Sequence, residues 1–147
     1  MASRRRAREY ALQALFQADM ASTEISRALN GLWSGLLEDD DGSLGGRQAD
    51  AAEVAFASEL AEGVERERNT LDLKIESCST NWRMSRMPHV DRNILRMGAF
   101  ELLHMEDVPA HVSINEAVEL AKKYGTSESR GFVNGILDRL ARESGAI

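Results

Sequence analysis

Arg4, Arg5, Arg6 and Arg8 all precede the first acidic residue of the chain, Glu9. Four guanidinium groups within five positions can pair with phosphates through charge-assisted, often bidentate hydrogen bonds. They stand in RRRAREYALQALFQ, residues 4–17, which runs straight into a helical pattern. Positive charge at a helix N-terminus opposes the macrodipole by about 0.3–1 kcal/mol per nearby charge at low salt. A helix that begins this way asks for an anionic partner. At 100° per residue, Arg5, Arg8, Leu12 and Phe16 fall on one stripe, while Arg6 points elsewhere. Phe16 can pack inward or stack on a nucleobase. The plain alternative is a solvated, frayed N-terminus.

A second stretch is SRGFVNGILDRL, residues 129–140. Gly131 and Gly135 lie opposite its apolar stripe, and each costs roughly 1 kcal/mol against alanine inside a helix. Core packing does not account for them, so they leave bare backbone where another molecule can approach. Phe132 lies on the flank of the stripe. It can stack on a nucleotide, fill a partner's pocket, or stay half-buried.

The residues do not assemble a catalytic constellation. His89, His104 and His111 lack the spacing of a helical metal pair. No glycine-rich phosphate loop, dinucleotide fingerprint or nucleophile elbow occurs. Cys78 is the single cysteine, which excludes an internal disulfide; it reads as a small buried hydrophobe. Neither an enzyme nor a metal or cofactor site is expected.

These residues need a scaffold. The 147 residues are 43% hydrophobic, 29% charged and only 5% aromatic. That suits one domain whose core is filled by Leu, Ala, Ile, Val and Met, which favours helices. No stretch has the length of a membrane span or the form of a signal peptide, so a cytoplasmic protein is expected. The formal charge is -6, yet beyond residue 8 the chain carries 14 basic against 24 acidic residues. A basic end on an acidic body implies a local anion site.

Helical periodicity covers nearly everything, with Pro88 and Pro109 as the only prolines. Helices are expected over about residues 4–20, 23–37, 51–68, from 70, 90–105, from 113, and from about 128. Ile25, Ala28, Leu29, Leu32, Trp33, Leu36 and Leu37 form the cleanest stripe. The segment 38–50, EDDDGSLGGRQAD, reads as a solvated loop insertion. Leu71, Ile75, Cys78 and Trp82 share one face of a helix or its continuation. Gly98 and Ala99 would admit a neighbouring helix closely. Ser113 to Glu116 reads as a capping box opening the sixth helix. Gly125 reads as its C-terminal glycine. Thr126 and Ser127 read as the cap of the seventh, and the final SGAI should fray. The expectation is an all-α bundle of about seven helices.

The chain resembles the NusB family of bacterial transcription factors. The resemblance rests on RRRAREYALQALFQ, VDRNILRMGAFELL at 90–103, VPAHVSINEAVELAKKYG at 108–125 and FVNGILDRL at 132–140. Their order and distances are highly specific, and Asn81 and Trp82 also look like family members. The resemblance implies two packed three-helix subdomains around the first helix and a central helix. It implies pairing with NusE, a small-subunit ribosomal protein, and binding of boxA, a single-stranded element of nascent ribosomal RNA. The pair would help assemble the antitermination complex on RNA polymerase.

By the same resemblance Arg4, Arg5, Arg6 and Arg8 match the RNA-binding arm, Phe16 a usual aromatic, and Phe132 the aromatic near the RNA path. Asp91 matches a position tied to NusE, and Glu128 one tied to either surface. Lys122 and Lys123 are further phosphate candidates, or a solvated helix end. Gly131 departs from a position where a longer, often basic side chain is common. Two other readings stay open: an accessory RNA-binding domain in ribosomal RNA modification or maturation, and a free homodimer covering the arginine face.

Overall fold

The computed structural model describes residues 3–38, 49–80 and 82–147. Among them are seven α-helices, one 3-10 turn and no strand. Positions 39–48 of the expected loop, the side chains of Leu36 and Leu37, and Asn81 lie outside the described residues. The chain divides into two compact units, residues 1–62 and 63–147.

The first unit holds α1 (Arg4–Ala21), α2 (Ile25–Glu38) and most of α3 (Ala51–Arg66). Ala7, Ala11, Ala14 and Ala18 of α1 recur at helical spacing and are buried with Tyr10 and Leu15. Tyr10 meets Trp33 of α2 edge to face, with ring centres 5.5 Å apart. α1 ends at Ser22, whose left-handed backbone (φ 54) lets the Ser22 and Thr23 amides close back on Ala18. A reciprocal cap starts α3. The Glu53 amide donates to Asp50 Oδ1 at 2.8 Å, and the Asp50 amide donates to Glu53 Oε1 at 3.2 Å.

The second unit holds the end of α3, then α4 (Arg68–Cys78), a 3-10 turn (Met84–Arg86), α5 (His89–His104), α6 (Ala110–Tyr124) and α7 (Ser129–Glu143). α5 packs against α4, α6 and α7, which makes it the central helix of this unit. Two glycines permit the close packing. A Cβ on Gly98 would lie 2.5 Å from Leu137 Cδ1, and one on Gly63 would lie 2.2 Å from the Phe100 ring. The first was expected from the sequence; the second was not.

Buried charge also ties the unit together. Arg96, buried on α5, donates from Nε and Nη2 to the two Asp72 oxygens of α4 at 2.8 and 3.0 Å.

Several local expectations are corrected. α6 begins at Ala110 behind Pro109, so Ser113 lies inside the helix. Its buried hydroxyl donates to Glu101 Oε1 at 3.0 Å and caps nothing. Proline, with its fixed φ and missing N–H, sets the start one turn earlier than the Ser–Glu spacing suggests. Gly125 closes α6 in extended backbone (φ -94), not the left-handed conformation. A side chain there would strike Ser129 Oγ at 2.6 Å, so close approach explains the glycine.

α7 has Glu128 at its N-cap, with no side-chain cap bond. At its far end, where SGAI suggested fraying, the backbone turns back on the helix. Gly145, at φ 80, lets its own amide reach Arg142 O and the Ala146 amide reach Ala141 O, a Schellman closure. Trp82 leaves the α4 stripe because α4 stops at Cys78; the indole is 48% exposed. Among the described residues no helix is long and apolar enough to cross a membrane.

Candidate nucleic-acid interface

The arginines belong to a capped helix. The Arg6 amide donates to Ser3 Oγ at 3.1 Å, and the Ala7 amide reaches Ser3 O at 3.0 Å. One side-chain oxygen thus satisfies an orphan donor of α1, and Arg4 starts the regular helix. Arg4 and Arg5 are exposed and Arg6 is half-buried.

Arg8 departs from the arm: only 3% of it reaches solvent. Its guanidinium carbon lies 5.3 Å from the centre of the Phe56 ring of α3, and that of Arg4 lies 4.8 Å from the same ring. The stripe Arg5, Arg8, Leu12 and Phe16 therefore divides. Arg8 and Leu12 are buried, whereas Arg5 and Phe16 (38%) are exposed. Beside the arginines lies a pocket of about 280 Å³ whose wall includes Arg4, Glu53, Phe56 and Glu59. Phe56 belongs to no motif in the sequence, although a lone aromatic in α3, in a chain so poor in them, was a usable signal.

In the second unit, three of the residues singled out from sequence meet in one place. Asp91, Glu128 and Phe132 line a pocket of about 160 Å³ together with Trp82, Pro88 and Ser129. Phe132 stands edge to face with Trp82, ring centres 6.2 Å apart. Asp91 sits in the first turn of α5, where a carboxylate suits the macrodipole. It is buried, and Ser129 Oγ donates to it. The same Ser129 oxygen accepts from the Thr126 amide at 2.9 Å. Ser129 therefore fixes both the carboxylate and the turn carrying Glu128, which is exposed.

Two aromatic walls over carboxylates disfavour a phosphate. They suit a cationic side chain of a protein partner, or the amino edge of a base stacked on the rings.

The flanking positions are less committed. Lys122 pairs with Glu119 at 3.5 Å on the α6 surface; such exposed pairs are worth about 0–1 kcal/mol and yield readily to another anion. Lys123 lies 5.3 Å from the Tyr124 ring. Gly131 and Gly135 are exposed, and a Cβ on either would meet nothing within 4 Å, so the bare strip read from the sequence exists. His104 lies against Phe100, with ring centres 5.0 Å apart, and His111 is exposed on α6. Among the described residues no group of three or more His, Cys, Asp or Glu side chains could hold a metal ion.

The chain is similar over nearly its whole length to proteins of one family. The family model of the NusB family matches residues 5–142. The chain is 50% identical over 141 residues to the transcription antitermination protein NusB of Myxococcus xanthus, covering 96% of both chains. Its fold is similar to that of T. maritima NusB, with a TM-score of 0.82 at 34% identity, covering 97% of this chain and 94% of the other. A NusB crystallised with NusE and double-stranded RNA shares the fold at a TM-score of 0.80 and 23% identity, covering 95% and 96% of the two chains.

Proposed function

The chain belongs to the NusB family of transcription antitermination proteins, and from this we propose that it is a non-catalytic RNA-binding adaptor. It pairs with NusE and holds the boxA element of nascent ribosomal RNA. The pair helps assemble the antitermination complex on RNA polymerase, in the cytoplasm.

The observation that carries this reading is the arginine-rich start of α1. Three arginines with solvent access open a capped helix on a chain that is otherwise acidic. The local positive field attracts phosphate, while the acidic remainder discourages indiscriminate binding of nucleic acid. In the second unit, Asp91 serves NusE, and Phe132 and the Gly131–Gly135 strip serve RNA. Glu128 serves whichever of the two fills the pocket. Lys122 and Phe16 contribute secondary contacts.

The test is binding of a boxA-type single strand by Arg5→Ala and Phe132→Ala variants, beside a double-stranded RNA of the same sequence. Each variant should lose affinity for the single strand. Wild-type affinity in both would remove the assignment and leave the fold intact.

A further inference from the structure

Two arginines share one aromatic ring, but only one of them reaches solvent. Arg4 is exposed and Arg8 is 3% exposed, with guanidinium carbons 4.8 and 5.3 Å from the Phe56 ring centre. The ring face is electronegative and attracts both cations. It is itself fixed, because Phe56 is buried and lies one turn beyond Glu53, whose reciprocal cap with Asp50 starts α3.

We propose that Phe56 is a positioning residue for RNA binding: Arg8 wedges the ring from inside, the ring holds Arg4, and the phosphates meet Arg4 and Arg5 but not Arg8. This rests on the RNA-binding reading above.

The division follows from solvation. A guanidinium that neutralises a phosphate must be reachable by it, and Arg8 is enclosed. Arg4 gains from being held, since a flexible side chain loses rotamer freedom when it binds. A planar cation already laid on a ring has lost part of that freedom beforehand. The four arginines thus do different work although their motif makes them look equivalent. Arg8→Lys would be no conservative change here, because the planar group is what lies against the ring.

The experiment measures binding of a labelled boxA-type single strand by the full chain with NusE, across a salt series. Arg4→Ala and Arg5→Ala should each lower the slope of log affinity against log salt by about 0.7, the loss of one phosphate contact on a single strand. Arg8→Met, which keeps length and burial, should weaken binding and leave the slope unchanged. Phe56→Leu should weaken binding about 2–5-fold in the wild-type background, the range of an exposed cation–π contact. It should cost nothing further when Arg4 is already alanine, because residues acting through one another are not additive. Phe56→Tyr keeps the ring and should restore affinity.

A slope loss of about 0.7 for Arg8→Met overturns the proposal. So does a Phe56→Leu penalty that is the same with and without Arg4. Should Phe56→Leu fail to fold, the Arg8→Met slope decides. Absence of RNA binding by the wild type is a separate outcome: it removes the RNA-binding reading itself, and this proposal with it.

Discussion

Ser129 on α7 donates its hydroxyl to Asp91 on α5, with its oxygen 2.8 and 3.1 Å from the two carboxylate oxygens. Both groups are buried, and the serine oxygen also holds the Thr126 amide. Ser129→Ala should therefore cost about 1.5–3 kcal/mol, the range for a hydrogen bond to a charged group. Urea unfolding should show a lower midpoint with an unchanged m value. A variant within 0.5 kcal/mol of wild type would mean that water replaces the hydroxyl.

The glycines fall into two classes with opposite predictions. Gly63→Ala drives a methyl into the Phe100 ring and should destabilise by about 1–3 kcal/mol, partly recovered by Phe100→Leu. Gly135→Ala meets nothing and should stabilise α7 by about 0.8–1 kcal/mol, read as a higher melting temperature. If the bare strip admits RNA, Gly135→Leu should also fold well while binding boxA-type RNA more weakly. Full binding by that variant would take the strip out of the interface.

Asp72→Ala removes both acceptors of the Arg96 fork. Arg96 is buried and Asp72 only partly so. The cost should be about 2–3 kcal/mol, below that of a fully buried pair. Chemical denaturation measures it. A loss under about 1 kcal/mol would class the pair with ordinary surface ion pairs.

Burial pushes the Cys78 thiol above its usual range, with the Glu143 carboxylate adding to the shift. The folded pKa lies above the unfolded one. The thiol's contribution to stability is therefore complete below the unfolded value of about 8.5 and is lost as pH rises through the folded value. At pH 8 an aromatic disulfide reagent should modify the native thiol at least about tenfold more slowly than the urea-unfolded one. Equal rates would place Cys78 at an open surface.

The helices were legible because burial follows period: Ile94, Leu95, Gly98 and Ala99, and Val133, Ile136, Leu137 and Leu140, all face inward as their spacing predicts. Local punctuation was less legible, because competing signals look alike in sequence. Ser113 and Glu116 have capping-box spacing, but Pro109 had already started the helix, and the serine instead bonds Glu101. The working box, Asp50 with Glu53, begins on the last residue of the expected loop insertion and was missed.

Buried charge was the least legible. Arg8, Arg96 and Glu101 resemble surface residues until a partner from another segment is known. The arginine arm was visible as a motif, but its division between exposed Arg4 and enclosed Arg8 required the α3 ring.

The central claim is that this chain holds boxA-type RNA together with NusE. Titration of a labelled boxA-type single strand with the chain alone, and with the chain plus NusE, tests it most directly, with sedimentation in parallel. The account predicts tighter binding in the presence of NusE, a slope near -0.7 per neutralised phosphate against log salt, and one copy of the chain per RNA. Salt-insensitive binding, no gain from NusE, or a free homodimer that RNA fails to dissociate would contradict it.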